Sequence, residues 1–172
     1  MKNKSENNLA FIDGQNLHLS TAKRDVDAWK IDHKKLRVYL KDKYHVTKAF
    51  YLMGYFLENH QDLYRNLEKA GFTLLFKEHR ANLLTEKKGN VDNDIIFHAM
   101  ENLVDNKDFN KIVIISGDGD YKKLVCYFLN KGRFKTILLP NSKRASSLYN
   151  SLGREHFDYL DSSAIRSKIE HK

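Results

Sequence analysis

Two short apolar runs, Leu9-Ala10-Phe11-Ile12 and Ile112-Val113-Ile114-Ile115, are each followed by aspartates beside glycines: Asp13-Gly14 after the first, Gly117-Asp118-Gly119-Asp120 after the second. Four apolar residues without polar alternation, stopped by a turn signal, read as a buried strand. Around them, β-rich runs alternate with stretches of helical periodicity. That alternation is the pattern of an α/β domain with a mainly parallel central sheet. In such sheets, functional groups collect at the carboxyl ends of the strands, near the point where strand order reverses.

The remaining elements follow from local signals. Residues 16–24 can form one or two helical turns, and Asp32 is placed to cap a helix over 34–43, where Leu36, Tyr39 and Leu40 share a face. A second strand is expected over 46–53, then a helix over 58–70 with Leu63, Tyr64 and Leu67 inward and Gly71 as its stop, then a third strand over 72–76. Residues 77–88 are polar and basic and read as a surface loop or an edge hairpin, closed by a turn at Gly89-Asn90. A helix over 92–104 carries Ile95, Ile96, Ala99, Met100 and Leu103 at helical spacing, and its acidic first turn suits the positive end of the helix dipole. A fourth strand over 111–116 precedes a helix over 121–130, a fifth strand over 134–139, a short helix over 145–152 and a final strand over 157–160. The domain is expected over 9–160, between a polar segment at 1–8 and a polar tail at 161–172 that should fray.

Composition narrows the setting. At 172 residues and 41% hydrophobic, with one proline and no linker-like block or repeat, the chain reads as one folded domain. Its apolar runs are far shorter than the roughly 18–20 residues that span a bilayer. The polar start with its short apolar run lacks the features of a signal peptide, so a cytoplasmic location is expected. The single cysteine, Cys126, excludes an intrachain disulfide and a thiolate zinc cage. The net charge is +8. Its lysines and arginines cluster at Lys34, Lys35, Arg37, Lys41 and Lys43, at Lys77, Arg80, Lys87 and Lys88, and at Lys131, Arg133, Lys135, Lys143 and Arg144. This suits a phosphate-backbone partner, although a solvated basic surface needs no partner at all.

The acidic residues are more specific. Asp13, Asp118 and Asp120 follow two core strands, and Asp92 and Asp94 open a helix, so all five can converge if the two strands are neighbours. Taken singly, Asp13-Gly14 is an ordinary turn, Asp92 or Asp94 an ordinary helix start, and Asp118-Gly119-Asp120 lacks the glutamate that would close a calcium loop. Taken together, charges at strand exits would repel one another unless a cation neutralises them or some are protonated. An all-oxygen donor set without histidine or cysteine favours a hard ion, Mg²⁺ or Mn²⁺. His18, His79 and His98 are not at zinc-binding spacing and read as ordinary polar or core residues.

Three blocks carry a resemblance: Phe11-Ile12-Asp13-Gly14-Gln15-Asn16, Lys88-Gly89-Asn90-Val91-Asp92-Asn93-Asp94, and Ile115-Ser116-Gly117-Asp118-Gly119-Asp120-Tyr121. In order and spacing they resemble the signature blocks of the NYN domain family, a branch of the PIN-like nuclease superfamily that includes LabA-like proteins. The resemblance implies a three-layer α/β/α sandwich and metal-dependent cleavage of RNA. It carries over Asp13, Asp92, Asp118 and Asp120 as the acidic set. Asn90 is inserted relative to the common family spacing, which weakens the match at Lys88 and leaves open whether Asp92 or Asp94 is the nearer ligand.

Hydrolysis of a phosphodiester by such a site would use one or two Mg²⁺ or Mn²⁺ ions held by the aspartates, with Asp94 as ligand, second-sphere acceptor or base. Asn16, Ser116 and Lys88 are candidate substrate contacts, each with an ordinary alternative: a helix cap, a small strand-end residue and a solvated lysine. The expected partner is single-stranded or structured RNA, and a homodimer would extend the basic surface although no residue marks an interface. Two other readings remain: an RNA-binding or regulatory module of the same fold without turnover, and a phosphohydrolase of small nucleotides. The latter is weakened because the second aspartate of an aspartyl-phosphate enzyme is replaced by Gln15, and because a glycine-rich nucleotide fingerprint is lacking.

Overall fold

The computed structural model describes residues 6–22, 28–77 and 91–171. Six parallel strands form one sheet in the order β3-β2-β1-β4-β5-β6: β1 (Asn8–Asp13), β2 (Val46–Met53), β3 (Thr73–Phe76), β4 (Ile112–Ile115), β5 (Phe134–Leu139) and β6 (Phe157–Tyr159). β1 and β4 lie at the centre and are buried along their whole length, as their unbroken apolar runs require.

Helices cover both faces. On one face α1 (Gly14–Thr21), α2 (His33–Tyr44), α3 (Gln61–Ala70) and α6 (Ser163–Ile169) surround a core that includes Ile12, Leu17, Leu36, Leu40, Leu67 and Ile115. On the other, α4 (Asp92–Val104) and α5 (Lys122–Asn130) pack over Phe11, Ile95, Ile114, Val125 and Phe128. The result is the expected three-layer sandwich. Among the described residues no helix is long and apolar enough to cross a membrane.

Local signals account for most boundaries. Asp32 caps α2 by accepting from the Lys35 N–H, and Gly71 ends α3 in the left-handed conformation at φ 95°. The helix expected over 58–70 is a 3-10 turn (Glu58–His60) running into α3, and the one over 145–152 is a 3-10 turn (Ser147–Ser151). Another 3-10 turn (Gly119–Tyr121) leads into α5. Residues 78–90, hence Lys88 and the loop-or-hairpin expectation, lie outside the described residues, as does His79.

The tail after Asp161 is not frayed. It forms α6, whose Ile165 and Ile169 are buried against α2 and the chain just before it. Its end is pinned by two main-chain bonds, Asp32 N–H to Ile169 O at 2.8 Å and His171 N–H to Lys30 O at 2.8 Å, and by the Lys35 side chain, whose Nζ donates to Glu170 O at 2.9 Å.

Basic residues adjacent in sequence do not share one face. Arg133 and Lys135 stand at the start of β5, where Arg133 bonds Phe109 O and Lys135 pairs with Glu6, whereas Lys143 and Arg144 follow its carboxyl end. At about 3.3 Å per residue, six residues separate the two groups by about 20 Å. Arg37 spends its guanidinium on the carbonyls of Gly71, Val46 and Thr47.

Candidate metal centre

Strand order reverses between β1 and β4: α1 leaves β1 toward one face and α5 follows β4 on the other, opening a crevice at their carboxyl ends. The register pairs Ile12 with Ile115, so Asp13 and Ser116 emerge side by side. Asp13, Gln15, Asn16, Val91, Asp92 and Asp118 line a cleft of about 260 Å³ there.

Each acid is placed by its own local structure. Asp13 caps α1: its Oδ1 accepts the Asn16 N–H at 2.9 Å, and its Oδ2 takes hydroxyls from Tyr121 at 3.1 Å and Ser116 at 3.4 Å. Asp118 caps the following 3-10 turn by accepting the Asp120 N–H at 3.1 Å. Its own N–H donates to Ser116 Oγ, and its carbonyl accepts the Tyr149 hydroxyl. Asp92 lies in the first turn of α4, whose capping position is Val91, and its Oδ1 accepts the Tyr121 hydroxyl at 2.5 Å.

Asp92, Asp118 and Asp120 each offer a carboxylate oxygen within 4.8 Å of the other two. Around an octahedral Mg²⁺ ion with oxygens at about 2.1 Å, neighbouring oxygens are about 3.0 Å apart and opposite ones about 4.2 Å, so the trio would draw together around a bound ion. Two unit charges 4.8 Å apart at an effective dielectric of about 20 repel by about 3 kcal/mol, less where solvent reaches them, as at exposed Asp120. A hard cation would offset that repulsion.

The five expected acids therefore do not converge equally. Asp13 joins the trio through Tyr121, whose hydroxyl lies between it and Asp92. Asp94 is set apart: it lines a separate hollow with Met53, Phe76, Phe97 and His98, and its Oδ2 is buried without a hydrogen-bond partner among the described residues. Asn16 is not a cap. Its Oδ1 accepts the Gly117 N–H at 2.8 Å and ties the β1 exit to the β4 exit, while Ser116 bonds both Asp13 and Asp118.

Burial raises the Asp13 pKa above the usual carboxylate range, helped by the Asp92 charge and opposed by the bonds from Asn16, Tyr121 and Ser116. Burial, with the neighbouring Asp13 and Asp92, pushes Tyr121 so far up that its hydroxyl keeps its proton. The Tyr121 hydroxyl therefore stands as a neutral donor between the two carboxylates.

Tyr121 is the residue that sequence reasoning missed, although it directly follows Asp120 in the third block. Tyr149 is the other, 31 positions from the carbonyl it contacts.

The NYN domain family model matches residues 9–160 of this chain. A curated relative, the low amplitude and bright protein LabA of Synechococcus elongatus, is 27% identical over 176 aligned positions, covering 93% of this chain and 86% of that protein. A crystal structure of a Vibrio parahaemolyticus protein of unknown function has the same fold, with a TM-score of 0.75 at 17% identity over 99% of each chain.

Proposed function

Starting from a chain that belongs to the NYN domain family, we propose a metal-dependent ribonuclease that hydrolyses RNA phosphodiester bonds with Asp13, Asp92, Asp118 and Asp120. The observation that carries this reading is the approach of Asp92, Asp118 and Asp120 to within 4.8 Å at the crevice between β1 and β4. Family membership adds that the domain is nuclease-related, and the all-carboxylate donor set suits Mg²⁺ or Mn²⁺.

Asp92, Asp118 and Asp120 would hold the ion. When bound, it supplies a water of lowered pKa and offsets charge on the phosphate oxygens. Asp13 keeps the cradle negative from beneath and orients Tyr121, which in turn fixes the Asp92 carboxylate. Asn16 lines the cleft with its Oδ1 committed to Gly117, so its Nδ2 donors are the part it offers a phosphate. Ser116 works as a positioning residue between Asp13 and Asp118. Arg144, whose guanidinium bonds the Leu19 carbonyl at 3.1 Å, brings positive charge to the rim, because Leu19 itself lines the cleft. That charge favours a polyanion.

The test is incubation of the purified chain with labelled single-stranded and hairpin RNA in Mn²⁺, Mg²⁺ or EDTA, beside Asp118→Asn. Cleavage that requires metal and disappears in the folded variant is expected. Salt-sensitive RNA binding without cleavage in either metal would replace the enzyme by a binding module.

A further inference from the structure

Asp94 belongs to the second sequence block, yet the metal centre leaves it unused. About 200° around α4 from Asp92, it shares a stripe with Phe97 and His98 at spacings of three and four, and this stripe lines a hollow of about 330 Å³. Leu52 and Met53 at the end of β2, with Leu75 and Phe76 at the end of β3, form its apolar wall. Val91 lines both this hollow and the acid cleft, so the two open on opposite flanks of the first turn of α4, about 10 Å apart, the width of a helix.

Two groups in the hollow are open to a ligand. Phe97 is 62% exposed, so its ring, edge to face with His98 at 5.6 Å between centroids, keeps a face for stacking. Asp94 makes no hydrogen bond or ion pair among the described residues and does not cap α4. Its Oδ2 is buried, which leaves Oδ1 as the atom within a ligand's reach. A phosphate would be repelled by this carboxylate, and a purely apolar group would leave it unpaired. A flat ring that carries an amino group meets both the phenyl face and the carboxylate.

We propose that the hollow receives one amino-bearing nucleobase of an RNA strand whose phosphate lies over the acid cleft, with the ring stacked on Phe97 and the exocyclic amino group donating to Asp94. The proposal rests on the RNA reading above and deepens it. Cytosine offers such an amino group, whereas uracil presents a carbonyl at the same position. Stacking alone is indifferent to sequence, so the carboxylate is what makes the site selective. Lys77, which also lines the hollow, adds positive charge for the sugar-phosphate that joins the two sites.

The experiment titrates the full chain, in EDTA so that no cleavage intervenes, with labelled rC, rU and abasic decamers of equal charge, reading fluorescence anisotropy. The expected order is rC, then rU, then the abasic strand, with rC about ten-fold tighter than rU, the worth of one hydrogen bond to a carboxylate. Phe97→Ala, at an exposed position outside the core, should weaken both base-bearing strands about five-fold or more and leave the abasic strand unchanged. Phe97→Tyr, which keeps the ring, should restore them. Asp94→Ala should bring rC to the affinity of rU, while a divalent ion still raises its melting temperature as it does that of the wild type.

Equal binding of the abasic and base-bearing strands overturns the proposal, as does binding by none of them. So does an unchanged affinity in Phe97→Ala, a loss that the abasic strand shares, or an unchanged preference for rC in Asp94→Ala. Loss of divalent-ion stabilisation in Asp94→Ala would return that residue to the metal centre and overturn it too. Metal-dependent cleavage with Phe97→Ala binding as the wild type does would remove the hollow and leave the nuclease reading standing. Base-dependent binding through Phe97 without cleavage in Mn²⁺ would do the reverse.

Discussion

Replacing Tyr121 by phenylalanine removes a single oxygen from the hinge of the acidic site. The ring is fully buried and stays, so packing changes little. The hydroxyl lies 2.5 Å from Asp92 Oδ1 and 3.1 Å from Asp13 Oδ2, and a hydrogen bond to a charged acceptor is worth about 1.5–3 kcal/mol. For a chain of this size each kcal/mol moves the melting temperature by about 2–4 °C, so Tyr121→Phe should lower Tm by about 3–12 °C in EDTA. The two carboxylates would then face each other with no shared proton. A saturating divalent ion, binding only the folded site, should restore much of the loss. Thermal unfolding followed by circular dichroism, in EDTA and in Mg²⁺, decides the matter. A variant that melts with the wild type in EDTA would show that the hydroxyl does not hold the acids together, and equal losses with and without the ion would place the metal elsewhere.

Three further outcomes are expected. Asp13→Asn should raise Tm in EDTA at neutral pH: burial puts the folded-state pKa above that of the unfolded chain, so the wild type loses stability as pH rises through the Asp13 titration, and the amide removes that loss while still capping α1. Melts between about pH 4 and 8 should therefore converge at the acid end and separate above it. Gly14→Ala should cost about 1–3 kcal/mol in urea unfolding, because its Cβ would meet the Leu52 carbonyl at 2.8 Å as well as the Tyr51 ring; an unchanged midpoint would show slack at that junction. Ile169→Ala should cost about 2–5 kcal/mol if α6 is docked as described, and a loss below about 1 kcal/mol would mean that the helix frays.

Much of this architecture is legible in the sequence, and the exceptions have common causes. β2, α4 and β5 have the ranges that periodicity indicates, because their apolar residues meet a core that needs no other information. α6 escapes because two isoleucines four apart in a polar tail make too short a stripe, and the surface they cover belongs to residues more than a hundred positions earlier. Asp92 and Asp94 are about 200° apart around a helix, so only one of them can face the cleft, but which one depends on how Val91, Ile95 and Ala99 rotate α4 against the core. The third basic cluster misleads for a related reason: Arg133 and Lys135 stand at the start of β5 and Lys143 and Arg144 beyond its end, so the strand carries them to opposite ends of the sheet. Tyr121 carries no local signal, since its role exists only once β1 and β4 bring Asp13 and Asp92 to the same place.

For these aspartates the choice between a helix cap and a ligand is not a choice. A carboxylate has two oxygens, and Asp13 gives one to the Asn16 N–H and the other to the hydroxyls of the site. Asp118 likewise turns Oδ1 to the Asp120 N–H, which fixes the plane of the group while its other oxygen stays on offer. A cap bond of this kind stabilises the first turn by about 1 kcal/mol and at the same time removes the rotamer freedom that a ligand would otherwise lose on binding. Ser116, Asn16 and Tyr149 then lock the turns themselves to one another. The consequence is directional: substituting Asp118 by alanine should damage both the turn and the site, whereas asparagine keeps an oxygen for the Asp120 N–H and removes only the charge. A melting temperature that falls in Asp118→Ala and holds in Asp118→Asn, with divalent-ion stabilisation lost in both, is the expected pattern. Equal falls in both would show that the charge itself, and not the cap geometry, holds this turn in place.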